Sequence, residues 1–89
     1  MGSETVLFKS EEKKSRTEAA DFLRHLADKV ESGRVVLRSG DAEQTLDIPE
    51  ALTLEVKAEE EGGRSVKYSL EVELEWSPGG AGASGVELG

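Results

Sequence analysis

The sequence contains no cysteine, and among its 89 residues there are only one histidine, one tryptophan, one tyrosine, two phenylalanines and two prolines. Without cysteine there can be no disulfide, thiolate-bound zinc, iron–sulfur cluster or thiol nucleophile. No apolar run approaches the ~20 residues of a membrane-spanning helix, and no basic stretch followed by an apolar one marks a secretory leader. Positive charge is also scarce. Eleven Lys and Arg stand against nineteen Asp and Glu, a formal net charge of -8. A chain this acidic repels nucleic acid and anionic membrane unless its basic groups are segregated. What remains, 36% apolar and 34% charged, is the balance of a soluble globular protein, with length for one domain.

The charge is unevenly placed. Residues 9–16 (KSEEKKSR) carry four basic and two acidic groups, whereas residues 17–76 carry seven basic and fifteen acidic. Residues 77–89 (SPGGAGASGVELG) hold five of the ten glycines. They lack the apolar surface needed to offset their ordering entropy. The reading is one folded domain over 1–76 and a flexible Gly/Ala/Ser-rich tail over 77–89.

One helix is clear. Ser15 with Glu18 forms a capping-box pattern. Ala19, Phe22, Leu23, Leu26 and Val30 then make one stripe at helical spacing, and Gly33 supplies a left-handed stop. The spacing predicts a helix over 16–31. Further on, apolar and polar residues alternate. Val35 and Leu37, Leu46 and Ile48, and Leu52, Leu54 and Val56 each point one way along their strands. The longest alternation runs Val66, Tyr68, Leu70, Val72, Leu74, Trp76. Such alternation marks an antiparallel sheet with one face buried and one in water.

The turns suggest registers. Ser39-Gly40-Asp41-Ala42 suits a two-residue hairpin with glycine first, which sets Val35 against Leu46, Arg34 against Asp47 and Arg38 against Glu43. A turn at Pro49-Glu50-Ala51 sets Ile48 against Leu52, Leu46 against Leu54 and Glu43 against Lys57. A three-residue loop at Glu60-Glu61-Gly62, with Gly62 left-handed, sets Val56 against Val66, Glu55 against Lys67 and Leu52 against Leu70. Residues 71–76 then overshoot their partner, and a first strand at Thr5–Lys9 is the candidate neighbour. The expectation is a two-layer α+β domain, one helix packed on a five-stranded, mainly antiparallel sheet in the order β-α-β-β-β-β.

One helix is too narrow for that sheet. At ~10 Å wide it covers two or three strands spaced ~4.8 Å apart. Apolar surface is left over around Val72, Leu74 and Trp76, the candidate interface. Strong twist, curling the sheet around the helix, is the alternative.

The stretches LFKSEEKKSR (7–16), EAADFLRHLADKVESG (18–33), RVVLRSG (34–40), LDIPE (46–50) and SLEVELEW (69–76) together resemble the amphi-Trp domain family. That family is named for its amphipathic alternation and a tryptophan near the end, here Trp76. The resemblance covers about residues 5–77. It implies a small cytoplasmic protein of the kind found in archaea and bacteria, and it carries over no activity and no catalytic residue.

No catalytic site emerges from the residues themselves. His25 falls on the solvent side of the helix, and no GxSxG-like elbow is present. No P-loop, GxGxxG or EF-hand spacing occurs, so no cofactor or metal is expected. Glu71, Glu73 and Glu75 share one strand face. They could hold a hard cation if a second such strand paired beside them, but charges of this kind also protect a sheet edge. Lys9, Lys13, Lys14 and Arg16 precede a helix N-terminus, where an anion could bind. Glu11 and Glu12 sit among them, however, and no aromatic is interleaved for base stacking. The expectation is a non-enzymatic, self-associating or protein-binding module. The alternative is a nucleic-acid-associated protein or an acidic nucleic-acid mimic, although direct nucleic-acid binding is not expected from the charge.

Overall fold

The computed structural model describes residues 3–78, in the order helix α1 (Arg16–Ser32), then strands β1 (Arg34–Ser39), β2 (Ala42–Asp47), β3 (Thr53–Glu61) and β4 (Lys67–Glu75). The chain divides into two compact units, Met1–Ile48 and Pro49–Gly89. It is α+β, as expected, but the strands form two two-stranded antiparallel sheets, β1–β2 and β3–β4, and not one sheet of five. The expected ladder between 43–48 and 52–57 belongs to neither sheet. Thr5–Lys9 is not a strand, and residues 3–15 carry no regular structure. The tail expected over 77–89 lies, from residue 79 onward, outside the described residues.

In the first unit, local chemistry sets the elements. The Ser15 backbone N–H donates to Glu18 Oε1 at 2.9 Å, and the Glu18 backbone N–H donates to Ser15 Oγ at 3.0 Å. Two orphan donors of the helix end are thereby satisfied. The hydrogen bond from the Ser15 backbone, then that with its side chain and the nearby Lys14 charge, hold the Glu18 carboxyl below the usual range. A depressed folded-state pKa means that this contribution is present at neutral pH and is lost as pH falls through the acid range. Ser15→Ala is expected to cost about 1 kcal/mol, read as a fall of ~4–8 °C in the unit's melting midpoint. At the other end Gly33 adopts φ 94°, and its N–H donates to the Lys29 and Val30 carbonyls. Its own carbonyl accepts from the Ile48 N–H at 2.8 Å, tying the helix end to the end of β2.

The β1–β2 register is the expected one, with Arg34 opposite Asp47, Val35 opposite Leu46 and Arg38 opposite Glu43. Gly40 alone takes a positive φ in the turn (59°), as a type II′ hairpin requires. Outside, Arg34 Nε lies 2.9 Å from Asp47 Oδ1 and Arg38 Nε 3.2 Å from Glu43 Oε1. Both pairs are exposed and contribute little beyond register. α1 packs against β1. Leu26, Val30, Leu37 and Leu46 are half-buried, and Val35, at 5% exposed, is the only buried apolar side chain among the described residues. Phe8 and Phe22 line a cleft of about 300 Å³ with Val36 and Arg38.

In the second unit the register departs from expectation. Leu54 faces Leu74, Val56 faces Val72, Lys57 faces Glu71 and Glu61 faces Lys67. The connection spans residues 62–66, and the left-handed glycine is Gly63 (φ 148°), not Gly62. The physical gain is in backbone pairing. The expected register left 71–76 to pair with a strand at Thr5–Lys9, which does not form, whereas the observed one pairs β4 along its whole length within the hairpin. No overshooting end remains to recruit Thr5–Lys9. Because the shift is an even number of residues, every side chain stays on its expected face.

Candidate functional site

The β3–β4 hairpin is an amphipathic ribbon with two distinct faces. One carries the cross-strand pairs Leu54–Leu74, Val56–Val72, Ala58–Leu70 and Glu60–Tyr68; the other carries Thr53–Glu75, Glu55–Glu73, Lys57–Glu71, Glu59–Ser69 and Glu61–Lys67. From Leu54 to Ala58 and from Leu70 to Leu74 the first face bears no charge. It is also open: Leu54 is 59%, Val56 61%, Leu70 72% and Val72 60% exposed. Tyr68 is exposed at one end, while Leu74 and Trp76 are half-buried at the other. Of the expected interface residues, Val72 and Leu74 lie on this longer face, and Trp76 follows just beyond β4. Leu54, Val56 and Leu70 belong to the face as well. Their alternation was visible, but the expected register set Leu70 against Leu52 and Leu54 against Leu46. Near the centre of this face, beside the small Ala58 side chain, lies a shallow, open hollow bordered by Glu60, Tyr68 and Leu70.

The opposite face is where the register has an electrostatic cost. Glu55 sits directly across from Glu73, where opposite charges would be favoured. The carboxylates of Glu55, Glu73 and Glu75 come within 4.8 Å of one another, all of them exposed. Glu71, Glu73 and Glu75 share one face of β4 as expected, but the close cluster joins Glu73 and Glu75 to Glu55, while Glu71 faces Lys57. The expected Glu55–Lys67 pair is replaced by Glu61–Lys67. A hydrogen bond shared with the Glu55 carboxyl, then the charge of Glu75, push Glu73 above the usual carboxylate range, with the charges of Glu55 and Glu71 adding to the effect. The sign follows from linkage. A raised folded-state pKa means the ionised group opposes folding, a penalty fully present at neutral pH and relieved as pH falls towards the ordinary carboxylate value. Glu73→Gln is expected to raise the hairpin's melting midpoint at pH 7 and to flatten its dependence on pH from neutrality down to the ordinary carboxylate range, measured by thermal unfolding across that range.

Of the four basic residues, Lys9, Lys13 and Lys14 lie on the irregular segment before α1 and Arg16 opens the helix. All four are exposed, and Lys14 Nζ pairs with Glu12 at 3.4 Å. The Glu18 carboxylate already occupies the positive end of the helix, where a bound anion would compete with it. His25 is exposed on α1, its Nδ1 3.2 Å from the Asp21 carbonyl oxygen.

Among the described residues, no helix is long and apolar enough to cross a membrane. No curated protein and no solved structure matches the chain. The profile of the Amphi-Trp domain, by contrast, matches residues 1–89. The match takes in the stretch SLEVELEW, which runs along β4 to Trp76, and the chain belongs to the Amphi-Trp domain family.

Proposed function

We infer that this chain is a cytoplasmic, non-enzymatic module that self-associates through the apolar face of its β3–β4 hairpin. The observation that carries this reading is the open, charge-free row of Leu54, Val56, Leu70 and Val72. An isolated two-stranded hairpin is marginal in water, and stability requires a third strand or a packed face. Together with Tyr68, those side chains form a contiguous exposed apolar row, and such rows mark interaction surfaces. Leaving that surface in water forgoes roughly 25 cal/mol for each Å². The carboxylate-rich opposite face supports solubility of the assembled form and disfavours nucleic acid as a partner.

Light scattering over a concentration series tests the reading. A dimer mass at working concentration, falling towards the chain mass on dilution, is the expected result. A strictly monomeric species at high concentration, with Trp76 fully shielded from a fluorescence quencher, would overturn it.

A further inference from the structure

The register and the Ala58 hollow specify how two copies would meet. We propose that the β3–β4 faces of two copies close on each other as a two-fold ribbon sandwich, in which Leu70 of each copy packs over the small Ala58 of the other. This rests on the self-association reading above and adds the geometry of the contact.

The occupant is argued to be a second copy on three grounds. The first is area. Leu54, Val56, Tyr68, Leu70 and Val72, each more than half exposed, make one continuous row along the face, the kind of surface from which a specific interface of ~800 Å² per partner is built. The second is charge. Face-to-face closure buries the uncharged rows and leaves both acidic faces outermost. Pairing of two β4 edges in antiparallel fashion would instead bring Glu71, Glu73 and Glu75 of the two copies side by side, where like charges repel. The ribbon thus discourages edge pairing while leaving its apolar face free.

The third ground is shape. Sheets that pack face to face keep their strands roughly aligned. A two-fold axis running along the ribbon between two such faces lays β3 of one copy over β4 of the other, with each residue level preserved. The residues paired across one hairpin are then also the residues that meet between copies. Because Ala58 is paired with Leu70, the most exposed leucine of the face projects towards the one small side chain of the row. Val56 meets Val72, Leu54 meets Leu74, and at the rim Tyr68 lies over Glu60, whose carboxylate can accept from the phenol. A two-fold contact makes each of these meetings twice. Interdigitation of large with small residues is what a close-packed layer needs.

Chain mixing tests this geometry. Ala58→Leu sets leucine against leucine between copies. Leu70→Ala leaves two facing holes. Each variant alone is expected to associate at least about tenfold more weakly than the parent, by sedimentation or native mass spectrometry. An equimolar mixture is expected to recover dimer. In the mixed pair the leucine introduced by Ala58→Leu in one chain meets the alanine introduced by Leu70→Ala in the other. The second contact then joins the unaltered Leu70 of the first chain to the unaltered Ala58 of its partner. Far-UV circular dichroism establishes that each variant keeps its strands; should either lose them, Ala58→Val with Leu70→Val is read in the same way. A dimeric parent whose variants gain nothing on mixing overturns the Ala58–Leu70 contact and leaves self-association standing. A monomeric parent overturns the reading beneath it.

Discussion

Val72→Glu is expected to leave the protein monomeric. Val72 lies opposite Val56 in the middle of the apolar face and is 60% exposed within one copy. The substitution therefore removes little packing from the hairpin itself. Against a second copy the same position is dry, and an unpaired carboxylate there forfeits several kcal/mol. At about 1.4 kcal/mol for each factor of ten, association should weaken a hundredfold or more. Glu71→Gln, one residue away on the opposite face, should leave the mass unchanged. Sedimentation velocity at matched concentrations reads both. An unaltered dimer in Val72→Glu would mean that this face is not what the copies bury.

The second large effect belongs to the other unit. Val35→Ala is expected to destabilise it by about 2 kcal/mol, the range of large-to-small changes at well-packed sites, which lowers the melting midpoint by ~8–16 °C for a domain of this size. The reason is that Val35 stands alone. It is the single buried apolar side chain among the described residues, on the covered face of β1 opposite Leu46. Val36→Ala, one residue on, 37% exposed and beside the Phe8–Phe22 cleft, should cost clearly less than Val35→Ala. Thermal unfolding followed by circular dichroism compares the two. Equal effects would show that β1 has no preferred inner face.

These effects trace back to what is and is not written locally in the chain. α1 was legible because each of its determinants acts within a few residues: Ser15 with Glu18, the Phe22–Leu26 stripe, and Gly33 at its end. The β1–β2 register was legible because a two-residue turn leaves no slack and Gly40 alone can take the required φ. The β3–β4 register was not. Gly62 and Gly63 are adjacent, either could accept a left-handed conformation, and only Gly63 does so. Face patterning could not choose between the two registers, since a period of two is blind to an even shift. Completion of the backbone ladder decided the matter, and it prevailed over the like-charge pairing of Glu55 with Glu73. For the same reason the candidate site was legible only in part. Val72 and Leu74 follow from alternation alone. The uncharged row through Leu54, Val56 and Leu70, the Ala58 hollow and the Glu55–Glu73–Glu75 cluster depend on which residues stand level with one another.

The central claim is that the apolar face of β3–β4 is covered by the same face of another copy. An isotope-filtered NOE experiment on a mixture of carbon-13-labelled and unlabelled chains asks this directly. The account predicts intermolecular cross-peaks between the methyls of Leu70 and Ala58 and between those of Val56 and Val72. If the only contacts to these methyls arise within one chain, for example from Phe22 or Leu23 of its own helix, the face is closed internally and the account is contradicted.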